Sequence, residues 1–191
     1  MTAPFPDFFA QVPSIEMRDP LAAFLGAAGS GRLEYSYLDA VKLTGHSCPT
    51  VAAAYLATLK ALSSLYPGQI PERGAVRVEL RGRVEEGVTG VVASVAGLIT
   101  GAAGEGGFKG IAGRFERRGL LVFGAPIAAD LRFTRLDTGQ ALEQDLPRAA
   151  AMSPELLLGL RRSLSPDGTA EEREAFGRGW QARVSELLAR A

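Results

Sequence analysis

The stretch PTVAAAYLATLKALSSL, residues 49–65, constrains the fold more than any other part of the sequence. Val51, Tyr55, Leu59, Leu62 and Leu65 recur at close to helical spacing and make one apolar stripe. Ala52, Ala53, Ala54 and Ala57 add helix propensity and are small enough for neighbouring elements to approach closely. Pro49 suits the first helical position, and Pro67-Gly68 stops the helix. A helix this apolar is stable only when other elements cover it, so the chain must build its core around residues 49–66.

The covering elements are partly legible. Val76, Val78 and Leu80 alternate with Arg77, Glu79 and Arg81, the pattern of a half-buried strand. Leu120–Phe123 and Leu131–Leu136 read as further strands, and Asp137-Thr138-Gly139 as a turn. Val91–Leu98 fits a buried helix or a buried strand equally well. Asp19-Pro20 opens a short helix to Leu25, and Gly26–Gly31 is a loop. Ser36 and Asp39 start a helix from Tyr37 to about Leu43, closed by Gly45. Residues 1–18, with three Pro and three Phe, read as an irregular arm over the core. Ser153-Pro154-Glu155 opens one C-terminal helix, running to about Leu164. Thr169 and Glu172 box the start of a second, striped by Phe176, Trp180, Val184 and Leu187. The expected fold is α+β, with a mixed or antiparallel sheet packed on the central helix and two helices at the C-terminal end. No repeat or interdomain linker divides the chain, so residues 1–191 are expected to form one domain.

Charge and composition exclude several function classes. The chain has 191 residues with 21 basic and 21 acidic side chains, so nothing in its balance favours phosphate backbones, and nucleic acid is not expected as a partner. One Cys cannot form an internal disulfide. One Cys and one His cannot build a closed four-ligand zinc finger. The longest uncharged run, Gly87–Gly104, has 18 residues but is broken up by Gly, Ser and Thr, which supply little transfer energy. Met1–Asp7 carries no basic or continuous apolar leader pattern. The expectation is a soluble cytoplasmic protein with no membrane partner.

The only His and the only Cys lie together, in Thr44-Gly45-His46-Ser47-Cys48-Pro49-Thr50. Cys48 falls at the N-cap of the central helix, where free N–H groups and the helix dipole favour a thiolate. A thiolate can bind a metal or attack as a nucleophile, and His46 can ligate the same ion, act as a base or pair with the sulfur. Cys48-Pro49 also admits haem ligation through the thiolate. Simple core filling by Cys48 is the alternative that needs no chemistry. A metal held by His46 and Cys48 needs further ligands, for which Glu105 and then Asp39 are the carboxylates to test. The Gly-rich stretch 87–113 matches neither the dinucleotide nor the phosphate-loop pattern. Thr89, Thr100, Glu105 and Lys109 are its candidates for orienting a small anionic ligand.

Gly45-His46-Ser47-Cys48-Pro49, followed at once by a small-residue helix, resembles the formylmethanofuran dehydrogenase E-subunit family, whose pattern is close to His-Gly-His-x-Cys-Pro-Gly. Thr100-Gly101-Ala102-Ala103 and Gly107-Phe108-Lys109-Gly110-Ile111 are similar to the same family. The resemblance covers roughly residues 33–137, leaving an arm and short helix over 1–32 and a helical extension over 138–191. It implies an α+β core, a homodimer, and a transition metal, usually zinc, held in part by His46 and Cys48. Thr44 stands where the family has its first His, and two helices stand where many members carry a Cys-rich zinc ribbon. The expected function is a transition-metal-binding protein with an open site for a small molecule. A haem-binding or haem-sensing protein and a metal-free thiol enzyme are the alternatives.

Overall fold

The computed structural model describes residues 5–190. A short 3-10 turn (Asp7–Gln11) leads into β1 (Ile15–Arg18), α1 (Pro20–Phe24), β2 (Arg32–Tyr35), α2 (Tyr37–Thr44) and the central α3 (Pro49–Leu65). Then come β3 (Val76–Leu80), α4 (Thr89–Thr100), β4 (Leu121–Val122), β5 (Leu131–Arg135), β6 (Ala141–Gln144), α5 (Pro154–Ser163) and α6 (Ala170–Leu188). The fold is α+β. One sheet is mixed, in the order β4-β3-β5-β6, with β3 and β4 parallel and the other pairs antiparallel. A separate antiparallel ribbon joins β1 and β2.

The single apolar stripe expected of α3 understates its burial. Every residue from Val51 to Thr58 is buried, whereas Leu59 is only partly so. The alanines explain the difference: with only a Cβ to accommodate, α2, α4, α6 and β6 close on α3 from several sides. Val91–Leu98, ambiguous in sequence, lies inside α4, whose Val92, Ala93, Val95, Ala96 and Ile99 are buried. The inner face of the sheet contributes Val76, Val78, Leu80, Leu131 and Phe133 to the same core. Its outer face carries an ionic ladder in which Arg132 grips Glu79 bidentately at 2.5 and 2.6 Å and reaches Glu143 at 3.4 Å.

The helix starts follow the sequence signals. Asp19 accepts from the N–H groups of Leu21 and Ala22, and Ser153 accepts from Leu156. Ser36 with Asp39, and Thr169 with Glu172, form complete capping boxes. The strands differ more from expectation. The stretch read as an irregular arm contains the 3-10 turn and β1, because Ile15 and Met17 alternate inward against β2. The strand expected over Leu120–Phe123 shrinks to Leu121–Val122, and β5 ends at Arg135, leaving Leu136 exposed. Strand β6 pairs with β5 beyond the Asp137–Gly139 turn. No helix among the described residues is long and apolar enough to cross a membrane.

Candidate functional site

The His-x-Cys segment is the link between α2 and α3. Gly45 ends α2 in the left-handed region (φ 76°), a conformation that glycine adopts without steric cost. Thr44 Oγ1 lies 2.9 Å from the carbonyl oxygen of Ala40 and 3.0 Å from that of His46, either of which accepts its one hydrogen, and this braces the turn. The next carbonyl, that of Ser47, accepts from Trp180 Nε1 at 2.9 Å and Gln181 Nε2 at 3.2 Å, both on α6. The Ser47 hydroxyl lies 2.9 Å from the hydroxyl of Tyr37, which is fully buried. Burial pushes the Tyr37 phenol up to about 12, against the opposing pull of the Ser47 hydrogen bond and with a further upward push from nearby Cys48.

His46 itself is exposed. Its Nδ1 lies 2.9 Å from the Thr44 carbonyl, which can only accept, so in the neutral ring Nδ1 carries the hydrogen and Nε2 keeps its lone pair. Cys48 occupies the N-cap position in extended conformation (φ −148°), but its side chain caps no N–H. Its half-buried thiol packs against the core cluster instead.

The remaining candidates do not gather around this pair. The Asp39 carboxylate is engaged by the N–H of Ser36 at 2.8 Å and its hydroxyl at 2.7 Å. Thr100 is fully buried, donating to Ala96 at 2.7 Å and accepting from Ala102 at 3.2 Å. Thr89 sits at the opposite end of α4, about 16 Å away at the helical rise, so the two threonines cannot share one small ligand. Glu105 and Lys109 are exposed in the loop beyond α4. Among the described residues, no group of three or more His, Cys, Asp and Glu side chains is placed to hold one metal ion. His46 and Cys48 are thus close neighbours in the chain, with no third such side chain placed beside them among the described residues.

Sequence reading missed the residues that set this geometry. Trp180 and Gln181 lie 133 and 134 residues from Ser47, and no local pattern announces the contact. Gln181 also leaves its buried Oε1 without a hydrogen-bond partner among the described residues, because its amide nitrogen is turned to the Ser47 carbonyl. No family model, no curated protein and no solved structure matches this chain.

Proposed function

We propose that the chain binds a transition metal ion, zinc in the first instance, through His46 Nε2 and Cys48 Sγ, as its resemblance to the formylmethanofuran dehydrogenase E-subunit family implies. The observation that carries this reading is the hydrogen bond from His46 Nδ1 to the Thr44 carbonyl. Metal-ligating histidines are commonly oriented this way, with the second nitrogen donating to a backbone carbonyl and the first left free. The sulfur at the N-cap of a 17-residue helix supplies the softer ligand. Two ligands from one chain leave positions for water, a small molecule or a second copy, so a homodimer belongs to this proposal. When bound, such an ion polarises a carbonyl or activates water.

Metal analysis of the purified protein tests the reading, with Trp180 fluorescence as a local reporter because the chain has one Trp and its indole bonds the carbonyl between the two ligands. The expected result is about one metal ion per chain, or saturable zinc uptake that changes the fluorescence, lost in His46→Ala and Cys48→Ser. Less than about 0.2 ion per chain with no uptake of added zinc overturns it. A visible haem band that Cys48→Ser abolishes, or Cys48 alkylation unaffected by zinc or a chelator, equally sinks it in favour of the haem or thiol alternative.

A further inference from the structure

A second cluster of chemistry lies on different elements. Asp19, at the start of α1, is buried at 3% exposure, and its carboxylate receives four donors. Two are the N–H groups of Leu21 and Ala22; the others are Arg117 Nη2 at 2.8 Å and Arg73 Nη1 at 3.0 Å. The Arg117 side chain is 7% exposed. It passes over Gly74 and Gly101, where an added Cβ would collide with the guanidinium. Arg73 also donates Nη2 to the Leu98 carbonyl at 3.0 Å, yet its buried Nε has no acceptor among the described residues. Two guanidiniums thus share one carboxylate. The cluster holds one positive charge in excess, inside a chain whose formal net charge is zero.

This cluster opens into a cavity of about 490 Å³, whose wall includes Arg18, Arg73, Arg114, Arg117, Phe115 and Glu72. Its acidic side chains are already taken: Glu72 pairs with Arg18, and Glu116 with Arg118. Arg114 has no carboxylate within ion-pair distance among the described residues and lies over the Phe115 ring, 4.9 Å from its centre. Phe115 has φ 65°, a left-handed conformation that costs a side-chain-bearing residue about 1–2 kcal/mol. Ala112 nearby also has positive φ, but there Ala112-Gly113 forms the tight turn that closes Ile111 onto Arg114. No such turn accounts for Phe115. Phe115 lines the cavity, with the Phe24 ring 5.4 Å away.

We propose that this cavity binds a small molecule through an oxyanion group, phosphate or carboxylate. Arg114 offers the ligand its free guanidinium, Arg73 adds positive charge at the wall where Asp19 and the Leu98 carbonyl hold it, and Phe115 forms the apolar wall. Guanidinium groups suit such a group because their forked donors match two oxygens at once. A cavity of this size takes a ligand of metabolite dimensions.

Calorimetric titration of the whole chain with inorganic phosphate and, separately, with benzoate tests the proposal, with chloride holding ionic strength constant. Saturable binding of at least one anion in the millimolar range is expected, weakened about tenfold or more by Arg114→Ala. Arg114 is exposed, so this variant keeps the fold, which circular dichroism checks. Binding of phosphate alone identifies a phosphate-bearing ligand. Benzoate binding, reduced by Phe115→Gly, identifies a carboxylate beside an apolar body. No saturable binding of either anion up to about 20 mM, or full binding by Arg114→Ala, overturns the proposal.

Discussion

Asp19 shows how one side chain serves two levels of structure. Its role as the cap of α1 is legible from Asp19-Pro20, because capping is a local arrangement. Its role as counter-ion is not legible, since Arg73 and Arg117 lie 54 and 98 residues away. Asp19→Asn keeps the cap but leaves the buried Arg117 and the partly buried Arg73 guanidiniums short of a charge. We expect a loss of about 3–5 kcal/mol in urea unfolding, with an unchanged m-value. Burial by itself raises the Asp19 carboxyl, but the hydrogen bond from Arg117, aided by Ala22 and Arg73, outweighs it and holds the group below its ordinary value. The folded state therefore binds the proton less well than the unfolded state. The resulting stability is present above the ordinary Asp range and is lost as pH falls through the lowered folded value. Melting curves of wild type and Asp19→Asn should converge on acidification below about pH 4.

Tyr37 gives the opposite sign. Its folded phenol titrates near 12 against about 10 when unfolded, so above pH 10 the unfolded chain releases a proton that the folded chain keeps. Stability then falls between about pH 10 and 12, by roughly 2–3 kcal/mol from this group. Tyr55 is shifted in the same direction by burial, and the carbonyls of Pro13 and Tyr35 both lie within reach of its one phenolic hydrogen. Tyr37→Phe should reduce this alkaline slope without abolishing it. At neutral pH the same variant should cost about 1 kcal/mol, for the lost bond to Ser47.

At the scale of elements, legibility follows length and locality. Helix α3 is legible because 17 residues carry one continuous signal, and α6 because its capping box and stripe agree. Strand β2 exposes or half-exposes every residue, and β6 is only four residues with Leu142 as its one large apolar side chain. Such strands exist because a partner offers an edge, and their own sequences barely specify them. The glycine loop after α4 is legible as a loop, but what its glycines avoid is visible only in three dimensions. Gly45 and Gly101 close α2 and α4 in nearly the same left-handed conformation, with φ of 76° and 74°. A Cβ on Gly45 meets nothing within 4 Å, whereas one on Gly101 strikes the Arg117 guanidinium and comes within 3.0 Å of Arg73 Cγ. Gly45→Ala should cost only the conformational penalty, about 1–2 kcal/mol. Gly101→Ala should cost at least about 1–3 kcal/mol more in the same denaturation assay, because it also displaces a buried ion pair.

At the scale of the whole molecule, the two C-terminal helices are unequal partners. Helix α6 buries Val184, Leu187 and Leu188 in the common core and packs along α3. Helix α5 has no fully buried residue and lies against α6. Amides of α5 should therefore exchange through small local openings, while those of α3 should exchange only on global unfolding. Helix α6 has a different dependence, because Trp180 and Gln181 reach from it to the Ser47 carbonyl between His46 and Cys48. Two hydrogen bonds thus tie the link between His46 and Cys48 to the C-terminal helix. If residues 5–190 unfold as a single domain, Trp180 fluorescence and far-ultraviolet circular dichroism should give the same urea midpoint. An earlier fluorescence transition would mean that α6 leaves α3 while the core survives. The link carrying His46 and Cys48 would then lose its two side-chain donors first, and any ligand held there would shift the fluorescence midpoint upward and leave the circular dichroism midpoint in place.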